Sequence, residues 1–314
     1  MVRMFYTPTG AKNAHEIFSP VENCWIHLEN PSDLEIENIS FATGVPTQMI
    51  KAALDEEERA HIEIEEEGKL ILVDIPVTSE SADKETYIYT TLPLGIIMTD
   101  KHFLTVCLKK TSVINEFMQG RVKNFDINKP TLFLYQLLYN NSIKFLHYLK
   151  QIDKASSRIQ LQLHKSMKNK ELIQLLELEK SLVFFSTSIK SNHTVLEKIL
   201  VSSFVKHYDE DQEILDDAVI ESRQAMEMAD IYRDVLSGTM DAFASVIGNN
   251  QNKVMKLLTA LTIIITIPTL IASFFGMNTG LPLQNNKYAF WIVVGISAVF
   301  SGIAAFIMYK KKMF

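Results

Sequence analysis

The sequence predicts an α+β protein with membrane helices: an N-terminal α/β domain, a long helical stretch, then two transmembrane helices. Three observations predict it. Residues 1–128 hold short β-rich runs that alternate with helical ones. No proline lies between Pro130 and Pro268, and no glycine between Gly120 and Gly238, so little breaks a helix there. Residues 254–309 are almost uncharged, although Asp, Glu, Lys and Arg make up 22% of the 314-residue chain. That contrast splits a soluble part from a membrane part.

In the N-terminal domain, the runs CWIHLEN, KLILVDIPV, TYIYTTLPLGIIMT and HFLTVCL are rich in β-branched and aromatic residues, as strands are. Helices are expected at 31–44 and 46–54. Residues 129–253 follow as long cytoplasmic helices and a stalk. Within them Leu175, Leu178, Leu182, Phe185 and Ile189 repeat at alternating three and four, a seam for packing against a neighbouring helix. From about Asp211 to Phe275 only Gly238 and Gly248 interrupt, and one helix of that length would span ~98 Å.

Residues 254–309 form the membrane part. The first span, about 254–275, contains the uncharged run LLTALTIIITIPTLIASFF. The second, about 288–309, is YAFWIVVGISAVFSGIAAFIMY. Each is long enough to cross a hydrocarbon core of roughly 30 Å. Tyr288, Phe290, Trp291 and Tyr309 mark the ends of the second, as interface aromatics do. Lys253 and Lys256 precede the first span, and a basic tail at 310–314 with Lys310, Lys311 and Lys312 follows the second. The outer loop, 276–287, holds only Lys287. The positive-inside rule therefore places both termini in the cytoplasm. The N-terminus lacks the long apolar core of a secretory signal, which agrees.

Inside the first span, Thr259, Thr262, Thr266, Thr269 and Ser273 are spaced three, four, three, four, and so share one helix face. Met255 and Asn252 extend the stripe. Membrane threonines can bond their own helix carbonyls, and small residues also serve packing. A stripe kept through the whole span nevertheless points to water or an ion. One hairpin cannot enclose a pore, so a closed cyclic homo-oligomer is expected.

Composition excludes other classes. A net charge of −6 and the lack of a basic patch argue against nucleic acid. Cys24 and Cys107 have no metal-ligand spacing and suggest buried free thiols. The eight histidines show no paired spacing for a metal. No nucleophile–base or paired-carboxylate arrangement stands out, so no enzyme is expected.

The tripeptide Gly276-Met277-Asn278 closes the first span at its outer end. Together with WIHLENPS at Trp25, ALDEEERAHIE around Asp55, DIYRDVLSG from Asp230, NKVMKLLT from Asn252 and the terminal KKKMF, it makes the chain resemble the CorA family of magnesium channels. The resemblance covers the whole chain. It implies a funnel-shaped homopentamer in the cell membrane, with the first span lining the pore. It implies that Gly276, Met277 and Asn278 form the selectivity filter, the Asn278 ring greeting hydrated Mg2+. Met255 and Leu258 would form the narrow inner gate, with Asn252 below it. Mg2+ is then the substrate and a regulatory ligand, and no cofactor is implied.

Two departures stand out. The loop TGLPLQNNK has no acidic residue and one lysine, which weakens cation capture and leaves Zn2+, Co2+ or Ni2+ as alternative substrates. In the family, cytoplasmic Mg2+ closes the channel by bridging carboxylates of neighbouring subunits. Asp217 matches one partner, but Lys51 and Ala52 stand where the other acidic pair is expected. Asp55, Glu56, Glu57 and Glu58 would substitute. A membrane-tethered sensor or scaffold that conducts nothing is the alternative of a different class.

Overall fold

The computed structural model describes residues 1–8, 14–80, 87–166, 169–202, 208–277, 280 and 286–311. Contacts divide the chain into two units, Met1–Gly238 and Thr239–Phe314.

In the first unit the strands are β1 (Val2–Tyr6), β2 (His15–Ile17), β3 (Cys24–Glu29), β4 (His61–Ile64), β5 (Lys69–Glu80), β6 (Tyr87–Met98) and β7 (His102–Cys107). They form one sheet in the order β2-β1-β3-β7-β6-β5-β4. The central β3–β7 pair is parallel, with Trp25 opposite Phe103 and His27 opposite Thr105, and the other pairs are antiparallel. The four runs expected as strands are β3, β5, β6 and β7. The short strands β1, β2 and β4 were not expected.

Helices α1 (Asp33–Thr43) and α2 (Thr47–Ala52) cover one face. Ser32 caps α1: its hydroxyl accepts from the Glu35 N–H, and the Glu35 carboxylate accepts from the Ser32 N–H at 2.8 Å. Gly44, at φ +78°, ends the helix. Ile36, Ile39, Met49, Ile50 and Ala53 bury this face together with Ile26, Leu70, Leu72, Leu104 and Val106.

The other face is covered by α3 (Ser112–Met118), α4 (Pro130–Ser166), α5 (Asn169–Val201) and the start of α6 (Asp209–Phe275). Phe133, Leu134, Val195, Ile199, Leu215 and Ala218 meet Trp25, Ile71, Val73, Ile96 and Phe103 there. All five seam residues of α5, Leu175 to Ile189, are buried, and Phe185 meets Phe145 of α4 edge to face at 5.2 Å. These helices thus belong to the same packed layers as the sheet.

Side chains finish what the ladders leave open. Beyond the end of β4, Asn192 of α5 accepts from the Asp74 N–H and donates to the Asp74 carbonyl, both at 2.8 Å. Asn141 of α4 donates to the same carbonyl at 2.8 Å. The carboxamides stand in for the missing strand and close an exposed edge. Cys24 and Cys107 are free and buried, and burial pushes the Cys107 thiol up to about 12.

The second unit holds the rest of α6 and α7 (Ala289–Lys310). α6 runs 67 residues with Pro268 inside it.

Candidate functional site

Both helices of the second unit are long and apolar enough to cross a membrane, and little of either is buried within the chain. Each is covered along one side only. On α6, Ala260 is fully buried, while Ile264, Ile267, Pro268 and Ile271 are half-buried. On α7, Ser297 and Met308 are buried, and Val293, Ser301 and Ala304 are half-buried.

The hydroxyl stripe lies elsewhere on α6. Thr259, Thr262, Thr266, Thr269 and Ser273 are all exposed, as are Asn252, Met255 and Leu258. At 3.6 residues per turn this set falls on the side of the helix opposite Ala260, Ile264 and Ile271. α7 therefore leaves the stripe bare.

Four of the five hydroxyls donate back into their own helix. Thr259 donates to the Met255 carbonyl at 2.8 Å, Thr262 to Leu258 at 2.8 Å, Thr266 to Thr262 at 2.7 Å and Thr269 to Ile265 at 3.0 Å. Each oxygen has committed its one donor to its own helix and keeps a lone pair for anything that approaches. The face offers hydrogen-bond acceptors without a formal charge.

α6 ends at the tripeptide. Gly276 N–H donates to the Ala272 carbonyl at 2.9 Å, and Met277 N–H reaches the Phe274 carbonyl at 3.4 Å. Gly276 and Met277 are exposed. Asn278 lies outside the described residues.

In the first unit, Asp217 is exposed on α6, and Asp55, Glu56 and Glu57 are exposed after α2, with Glu58 half-buried. Among the described residues of one chain, no three His, Cys, Asp or Glu side chains are grouped to hold a metal. Asp217 and residues 55–58 are thus not gathered within a single copy. Lys51 pairs with Asp33 at 2.8 Å, and the partnership holds the Asp33 carboxyl below its usual range.

One contact was not anticipated from the sequence. The Ser301 hydroxyl of α7 donates to the Ile264 carbonyl of α6 at 3.4 Å. Pro268 is the signal that announces it, since a proline leaves the carbonyl four residues earlier without its helical donor.

The sequence profile of the family described as CorA-like Mg2+ transporter protein matches residues 21–311. The cobalt/magnesium transport protein CorA of Methanocaldococcus jannaschii is 30% identical over 302 residues, covering 91% of this chain and 90% of that protein. The cobalt/magnesium transport protein CorA of Thermotoga maritima is 32% identical over 90 residues, 28% of this chain and 26% of that protein. The complete structure of the M. jannaschii CorA magnesium transporter superposes with a TM-score of 0.81 at 25% identity, over 98% of this chain and 96% of the other. Full-length CmaX shares the fold alone, with a TM-score of 0.70 at 13% identity over 98% of this chain and 97% of the other.

Proposed function

The chain belongs to the CorA-like Mg2+ transporter family, and on that premise we propose that it is a divalent-cation channel carrying Mg2+, and Co2+ with it, into the cytoplasm. The family is one of transporters, not enzymes. The observation that carries the channel mechanism is the bare, acceptor-only hydroxyl face of α6.

Several copies ring a common axis with α6 inside and α7 outside against lipid. The number of copies is taken as five. Mg2+ holds its water octahedrally and sheds it reluctantly. The hydrogens of that water point outward, so a face of oxygen lone pairs suits the hydrated ion. A full carboxylate would hold it too tightly to release. The Asn278 ring at the outer mouth receives the ion through its water with neutral carboxamide oxygens, helped by Gly276 and Met277. Thr259, Thr262, Thr266, Thr269 and Ser273 carry it inward, and Met255 and Leu258 narrow the inner end above Asn252. Two charges moving down a negative-inside potential gain about 4.6 kcal/mol per 100 mV.

In this reading the protein sits in the cell membrane with both termini cytoplasmic, which the lysines flanking the spans support. Cytoplasmic Mg2+ bridges Asp217 of one copy to Asp55–Glu58 of the next and closes the pore. Lys51 does not take part, because its ammonium already occupies Asp33.

The test is Mg2+ uptake in cells that lack their own transport. The wild-type chain restores uptake, and Asn278→Ala abolishes it while the assembled protein remains in the membrane. Equal uptake by both would remove the tripeptide from the mechanism. No uptake by the wild type, with zinc flux in liposomes, would move the substrate to Zn2+.

A further inference from the structure

We propose that Ser301 is a positioning residue of the pore: its hydroxyl takes the place of the N–H that Pro268 lacks, and so keeps the two halves of the threonine stripe in line. The positioning role rests on the channel mechanism above. The bond itself does not.

Pro268 has no N–H, and its ring crowds the carbonyl of Ile264. In hydrocarbon there is no water to satisfy that oxygen, so another donor must come from protein. Ser301 is that donor, at 3.4 Å. The bond is longer than a regular O–H···O bond and correspondingly weak.

The behaviour of the other hydroxyls gives the contact its meaning. Thr259, Thr262, Thr266 and Thr269 of α6, and Ser297 of α7, all donate to the carbonyl four residues back in their own helix. The same kind of local carbonyl is within reach of Ser301, four residues back at Ser297. Ser301 bonds across to α6 instead. It is half-buried on the side of α7 that carries Val293 and Ser297, and Ile264 is half-buried on the opposing side of α6.

The position matters for the stripe. Pro268 lies between Thr266 and Thr269, so the weak point of the α6 backbone divides the lower hydroxyls from the upper ones. A helix missing a rung can swing there, and the swing would move Thr269 and Ser273 relative to Thr259, Thr262 and Thr266. Ser301 ties that rung to the lipid-facing helix.

The experiment is a double-mutant cycle on the full-length protein. Thermal unfolding of the purified assembly is measured for wild type, Ser301→Ala, Pro268→Ala and the double variant, with Pro268→Leu as a second background should Pro268→Ala not assemble. Ser301→Ala should lower the midpoint when Pro268 is present and have little effect when a residue with an N–H replaces it. Equal effects in both backgrounds, or none in either, would overturn the bond. Mg2+ flux supplies the second readout. Ser301→Ala should reduce flux several-fold, and Ser301→Thr should restore it. Unchanged flux in Ser301→Ala would overturn the positioning role. Coupling in the cycle with no flux through the wild type would leave the bond standing and remove the channel instead.

Discussion

His27 lies on the central strand β3, with its Nδ1 2.9 Å from the Thr105 hydroxyl, which also accepts from the Trp25 indole at 2.9 Å. All three side chains are buried. Burial pushes the imidazole down to about 4, and a hydrogen bond with the Thr105 backbone only partly offsets this. The folded protein thus binds this proton less well than the unfolded chain, whose histidine titrates near 6.5. The stability His27 secures is complete above about pH 6.5 and drains away as pH falls towards 4, by at most roughly 3 kcal/mol. Asp74 works with the opposite sign, because burial raises its carboxyl above 3.8. Unfolding midpoints at pH 7 and pH 4.5, for wild type and His27→Gln, isolate the histidine: the variant should show the shallower loss. Gly95 makes a second prediction at this scale. A Cβ there would meet the Ala53 Cβ at 2.6 Å, so β6 approaches α2 only because this residue has no side chain. Gly95→Ala should destabilise by about 1–3 kcal/mol. Adding Ala53→Gly should recover much of that in a denaturant titration.

Among the elements, α6 is where sequence and structure can be weighed most directly. Its hydroxyl spacing was visible because a helical period needs no knowledge of the rest of the fold. That threonines can bond their own helix was foreseen, but that four of them do so depends on atomic geometry. Replacing Thr262 and Thr266 by Val keeps the shape and removes the oxygens. Mg2+ flux should fall about tenfold, equivalent to roughly 1.4 kcal/mol in the barrier, while assembly is retained. Undiminished flux would show that the threonines serve their own helix alone. The α5 seam was legible for the same reason of period, and its five residues are buried. Strands β1, β2 and β4 were not legible. β2 and β4 have three and four residues, too few to display a period, and β1 sets Met4 and Phe5 on opposite faces, both against apolar neighbours. Nor could spacing reveal that Asn192 would close the edge of β5, 118 residues away in the chain. Asn278, on which the proposed filter depends, lies outside the described residues.

At the scale of the whole molecule, the proposed channel needs more than one copy, because the stripe on α6 is exposed in a single chain. Light scattering of the purified protein should give a closed homo-oligomer, and a monomer would leave the hydroxyls without an axis to share. Millimolar Mg2+ should slow proteolysis of that assembly, and Asp217→Ala should abolish the protection. Unchanged digestion would remove the metal from gating. The parallel pairing of β3 with β7 also carries a timetable. These partners lie 78 residues apart in the chain, whereas β5, β6 and β7 follow one another as neighbours. A ribosome delivers β3 long before its mate, and the early strands must wait for a ribbon that zips up locally behind them. Leu215 and Ala218, which pack on that sheet, also precede the apolar stretch of α6 in the chain. Synthesis therefore delivers the residues of the packed sheet and of the helices that cover it before those of the two apolar helices.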